Sequence, residues 1–180
     1  MARLDPISLG ELSPEQKTVH DKLAATRKGR VSGPFAVWLR IPNLAATADD
    51  FTRAMREQGL LQKRQFELLV LIVTRRWSAR YAWAQHEPLA LAAGLPPEIV
   101  TAIREKRMPK LDRPDEQVLY DMATELLDTT QLSQTTYDRM LAQFGIERTV
   151  EAISVVGFYG MVSTVLNGFD VPTLNGEKPF

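Results

Sequence analysis

The hydrophobic pattern is organised around residues 66–94. Phe66 to Val73 is apolar throughout except for one charge, Glu67, and the next segment brings Trp77, Tyr81, Trp83 and His86. A carboxylate inside such a run is expensive to bury unless it is paired or protonated. On either side of this stretch, apolar positions recur with helical spacing. Val19, Leu23 and Thr26 form one face, Leu44, Phe51 and Met55 a second, and Leu119, Met122, Ala123 and Leu126 a third. From Val150 to Leu166 the chain is apolar nearly all round, the pattern of a core or interface helix.

These patterns predict helices over about 14–28, 44–58, 61–75, 79–93, 97–106, 114–129, 134–145 and 147–167. The punctuation agrees. Ser13-Pro14-Glu15-Gln16 reads as a capping box with proline in the first turn, Ser78 and Ser133 are candidate N-caps, and Gly29, Gly59, Gly94 and Gly145 follow helix ends. Pro88 lies inside a helix, where it removes a hydrogen bond and predicts a bend. Leu68 to Val73 is rich enough in branched residues to compete as a strand, but no other segment offers a strand partner. The expectation is therefore one all-α domain over 1–180, with an extra N-terminal helix at 13–28 and an irregular tail at 169–180. Residues 34–41, with Phe35, Val37, Trp38 and Leu39, are too apolar for a free loop and predict a plug in the core or against another subunit. Gly157 and Gly160 predict close approach by another helix.

Composition narrows the chemistry. Lys plus Arg and Asp plus Glu are both 22, giving zero formal charge, so nothing suggests nucleic acid or an anionic membrane as partner. The chain has no cysteine, which removes disulfides, thiolate nucleophiles and thiolate metal sites. The N-terminus is too polar for a secretory signal, and no uninterrupted apolar run reaches the roughly 20 residues of a membrane span. A soluble cytoplasmic protein is expected. Two distant histidines and scattered carboxylates lack metal-ligand spacing, no glycine-rich phosphate loop is present, and no cofactor is expected.

One pair stands out. Glu67 and His86 fall on consecutive helices joined by a short turn, which favours antiparallel neighbours. Glu67 lies about two turns before its helix ends and His86 about two turns into the next, so both reach similar height. A carboxylate beside an imidazole fixes its tautomer, and such a pair can move protons near neutral pH. The residues alone leave a second reading open, a buried hydrogen bond that only satisfies two polar groups. Tyr81, Trp83 and Tyr159 are candidates to line a pocket, with core packing as the alternative. Arg76 and Arg80 are candidate anion anchors, with an exposed basic turn as the alternative.

At these residues the chain resembles the carboxymuconolactone decarboxylase family, itself similar to alkylhydroperoxidase-D-like proteins. The resemblance rests on Phe66-Glu67-Leu68, Tyr81-Ala82-Trp83-Ala84-Gln85-His86, Ala90 and Ala93-Gly94-Leu95, with Pro34-Phe35, Val156-Gly157-Phe158-Tyr159 and Leu166-Asn167 as weaker flanks, and it covers about residues 30–172. It implies an all-α, alkylhydroperoxidase-D-like bundle assembled as a homo-oligomer, a trimer or hexamer. The peroxidase members carry a glutamate, a Cys-x-x-Cys pair and a histidine. Here Glu67 and His86 match the first and last, while Ala79 and Ala82 stand at the cysteine positions, so thiol peroxidase activity is not expected. The decarboxylase branch implies cofactor-free removal of carbon dioxide from a small carboxylated lactone, with His86 as acid/base and Glu67 as its orienting partner. A non-catalytic binding protein or a silent oligomer is the alternative.

Overall fold

The computed structural model describes residues 2–180, and every regular element among them is helical. After one 3-10 turn at Leu9–Glu11 come α1 (Pro14–Thr26), α2 (Pro34–Trp38), α3 (Pro42–Glu57), α4 (Lys63–Arg76), α5 (Arg80–Ala92), α6 (Pro97–Arg104), α7 (Pro114–Thr129) and α8 (Gln134–Gly168). Five begin with proline in the first turn, as α1 does behind the Ser13–Gln16 capping box.

The centre of the fold is α4. It packs on α5, α7 and α8, and every residue from Gln65 to Thr74 is buried. A helix enclosed on all sides needs no polar face, which explains the continuous apolar run and disposes of the strand reading. Its buried polar positions are committed. The Gln65 amide oxygen accepts from the Gln62 backbone N–H, and its Nε2 donates to Asp115 of α7 at 2.7 Å. Arg64 forks onto Glu116, whose side chain is sealed from solvent.

Helix α8 is two helices in line, broken at Gly145, where φ 72° and ψ 174° exclude helical geometry. This is the break expected between 145 and 147. By length and composition α8 could cross a membrane, although no single apolar run in the sequence is long enough. Here half of its apolar window is buried in the bundle, and it packs on α4 and α7.

Residues 34–38, the apolar plug, form a short helix with Pro34 and Trp38 buried. Two expectations are corrected. Ser78 is not the cap of α5. It sits at φ 51°, closing the α4–α5 turn, and its hydroxyl accepts from Arg75, while Ala79 occupies the cap position. In α3 the inward stripe is Ala45, Ala48, Asp49, Thr52 and Met55, whereas Leu44 and Phe51 are 39% and 44% exposed. The small residues lie inward because α3 must fit closely over α1 and α2, and buried Asp49 takes the Arg27 guanidinium of the α1 C-cap at 2.6 Å. The tail after Phe169 has no regular element and lies on its own chain: the Phe180 ring meets Trp83 edge-on and the Arg75 guanidinium face-on. As for the glycines of α8, a side chain at Gly157 would meet nothing within 4 Å, and one at Gly160 only the Trp77 indole.

Candidate active site

The short α4–α5 turn lays the two helices side by side, and His86 Nδ1 reaches Glu67 Oε2 at 2.7 Å. Both residues are buried. An ionised carboxylate only accepts hydrogen bonds, so Nδ1 carries the proton and donates, leaving Nε2 as a free basic nitrogen. Nε2 has no partner among the described residues. It is not among the sealed polar atoms that lack one, so it opens on the cavity that His86 lines.

That cavity holds about 550 Å³, within the usual range for small-molecule sites. Helix α5 supplies Tyr81, Ala82, Gln85 and His86, positions one turn apart on a single face. Helix α8 supplies Phe158, Tyr159, Val162 and Leu166, and the α2 region adds Pro34 and Phe35. Ser32, Thr52 and Leu174 also line it, together with four cations, Arg27, Lys28, Arg30 and Arg56, and among the described residues no carboxylate does. A second cavity of about 530 Å³ lies on the Glu67 side, and Arg27, Thr52 and Arg56 border both. Glu67 and His86 thus form part of the partition between two cavities.

The aromatic wall is fixed. Tyr159 meets His86 edge to face with centroids 5.0 Å apart. The Tyr81 hydroxyl bonds the Ser32 hydroxyl at 2.9 Å, and burial raises its pKa above the ordinary phenol range. The loop before α2 lies hard against this ring. Gly33 is at φ 61°, and a Cβ there would come within 2.3 Å of the Tyr81 ring, so only glycine fits. The Arg27 guanidinium stacks 4.1 Å over Phe35 while holding Asp49.

Of the sequence candidates, Glu67, His86, Tyr81 and Tyr159 are brought together. Trp83, Arg76 and Arg80 are not. Trp83 is fully buried on the far side of α5, its indole N–H donating to Glu87 at 2.9 Å. Arg76 pairs with exposed Asp128, and Arg80 donates to the Phe180 carbonyl. The cations that do line the cavity, Arg27, Lys28, Arg30 and Arg56, come from elements remote in sequence from the Glu67–His86 segment. Nothing in their local pattern separates them from ordinary surface charges. Gln85 was within reach of sequence reasoning, one residue before His86 in a helix whose inner face passes through both.

Solved structures give this arrangement a context. An uncharacterized peroxidase-related protein from Ralstonia eutropha JMP134, described as an alkylhydroperoxidase AhpD core, superposes with a TM-score of 0.78 at 12% identity, over 96% of this chain and 92% of that one. The chain has the alkylhydroperoxidase-D-like fold. An uncharacterized peroxidase-related protein from Silicibacter sp. TM1040 shares it at TM-score 0.76 and 14% identity, over 94% of this chain and 90% of the other. So does the debrominase Bmp8, solved as a cysteine-to-alanine variant with 2,3,4-tribromopyrrole, at 0.75 and 13%, over 95% and 91%. By sequence, no family model and no curated protein matches. Within this alkylhydroperoxidase-D-like fold Ala79 is buried at the start of α5, and Ala82 lines the cavity one turn before His86. Two methyl groups stand where the resemblance puts a pair of thiols, and dithiol reduction of a peroxide has no sulfur to run on.

Proposed function

We propose that this protein is an acid–base enzyme in which His86 moves a proton to or from a small anionic substrate, with decarboxylation of a carboxylated unsaturated lactone as the favoured reaction. One observation carries the reading. A carboxylate-held imidazole presents its free nitrogen to a cavity lined by cations and aromatic rings and by no acid. A purely structural Glu–His pair has no need of that surrounding.

Each part has a role. The basic rim draws the substrate carboxylate in and fixes its direction. The rings exclude water and contact a flat apolar body. A cavity of this size takes a ring the size of tribromopyrrole, the compound bound to one of the structural neighbours. In decarboxylation the bond to the carboxyl carbon breaks, carbon dioxide leaves, and the electron pair spreads into the conjugated carbonyl. His86, which has taken a proton from solvent water on Nε2, then delivers it to the carbon and returns to the neutral imidazole, while Glu67 holds the ring in register through Nδ1. Thiol chemistry is not part of the proposal.

The test is turnover of carboxylated unsaturated lactones by the intact protein and by His86→Ala, with product followed by mass spectrometry. Loss of turnover in a variant that keeps its helical content and assembly supports the role, by about a hundredfold or more. Full activity in His86→Ala would sink it. Binding without product from the native protein would leave a small-molecule-binding protein on the same scaffold.

A further inference from the structure

Tyr159 stands one ring away from the proposed base, in the wall of the same cavity. The ring is clamped: His86 lies edge to face at 5.0 Å, Phe158 at 5.6 Å and Phe66 at 5.8 Å. The hydroxyl has no hydrogen-bond partner among the described residues. The sealed side-chain polar atoms left without a partner there are Arg104 Nε, Glu151 Oε1 and Ser163 Oγ. The Tyr159 oxygen is not one of them, so it reaches the cavity whose wall the residue forms. Keeping an unpartnered phenol in an aromatic wall is unfavourable, and phenylalanine would pack as well. Burial pushes the phenol far above its ordinary pKa, with Arg56 opposing and Glu67 adding, so it remains a donor at neutral pH. Arg56 lines the same cavity with no ion pair among the described residues, while neighbouring Arg53 is taken by Glu57.

We propose that Tyr159 is a catalytic residue, its O–H donating to the substrate oxygen on which negative charge gathers, with the Arg56 guanidinium facing the same charge. This rests on the acid–base reading of His86. When the substrate C–H or C–CO₂ bond breaks, its electron pair runs into the conjugated carbonyl, and that oxygen becomes an enolate held by the Tyr159 hydrogen. When His86 protonates the carbon, the pair flows back and the hydrogen bond weakens. Tyr159 keeps its own proton throughout, and the stabilisation is that of a preorganised oxyanion donor.

The probe is 4-nitrophenol, whose anion is yellow and mimics an enolate of similar size. Titrated into the intact protein, it should bind more tightly as phenolate than as phenol, so the bound probe ionises at lower pH than the free one. Tyr159→Phe keeps the ring packing, and its phenolate Kd should rise about tenfold or more, while the Kd for the neutral phenol moves far less. Arg56→Gln, at an exposed position, should weaken the phenolate in the same sense. If Tyr159→Phe holds the phenolate as tightly as the native protein, the role of Tyr159 is overturned, and the His86 reading stands or falls by its turnover test. If the native protein binds neither form, the Tyr159 proposal fails, while the His86 reading is decided by its own turnover test.

Discussion

At the scale of single residues, the informative contact is the 2.7 Å hydrogen bond between Glu67 and His86, and it separates packing from chemistry. Glutamine at position 67 keeps the shape and one acceptor oxygen, so the core is nearly undisturbed. Its amide also offers N–H donors. The imidazole can then accept at Nδ1 and place its own proton on Nε2, the wrong tautomer for a base. Glu67→Gln should therefore keep its melting temperature within a few degrees while kcat falls about a hundredfold to ten-thousandfold. Thermal melts and steady-state kinetics on the same preparation decide it. A large stability loss with unchanged kcat would mean that the pair only packs. The pair was legible in the sequence because both members sit beside dense apolar segments, where a charge must be explained. Arg56 and Arg30 were not, since an arginine on an amphipathic helix or in a loop has no local mark of what the fold will place opposite it.

At the scale of elements, α4 is tied to α7 by polar side chains as well as by its apolar surface. Gln65 caps its own helix and donates to Asp115, and Asp115 also receives Arg113 at 3.0 Å. Burial opposes ionisation of Asp115, but the hydrogen bonds from Arg113 and Gln65 outweigh it and hold the carboxyl below the usual range. The folded pKa thus lies below the unfolded one. The resulting stability is fully present above the unfolded value, about 3.9 for an aspartate, and drains away as pH falls through the lowered folded value. Asp115→Asn should flatten this part of the acid limb, so that the gap in melting temperature between variant and native protein starts to narrow at about pH 4 and closes only below the lowered folded value. A gap that stays constant from neutral pH to pH 3 would contradict the assignment. Element positions were largely readable, because prolines, Ser13, Ser133 and the glycines mark their ends. The inward face of α3 was not. Periodicity chose its large apolar residues, Leu44 and Phe51, whereas close packing against α1 and α2 buries its alanines and a paired aspartate.

At the scale of the whole molecule, α8 carries a surface that the single chain leaves uncovered. Val150, Gly157 and Met161 fall on one face at helical spacing and are exposed, and Gly157 presents bare backbone there. The close helix approach expected at the glycines does not occur at Gly157 within the chain. Phe51 of α3 is also exposed, with its ring 5.1 Å from Phe158, whose other neighbours include Tyr159 in the cavity wall. We propose that a second copy of the chain covers this face, which would pack a backbone-deep groove and support the aromatic wall from behind. Charge placed on the stripe should be intolerable in an interface and harmless on a free surface. Met161→Glu should convert the native oligomer to a monomer by light scattering coupled to size exclusion, with unchanged helical content. It should also weaken 4-nitrophenol binding if the copies support one another's cavities. A native protein that is monomeric at tens of micromolar, or a Met161→Glu variant that assembles as before, would leave α8 without that partner and its exposed apolar stripe without this explanation.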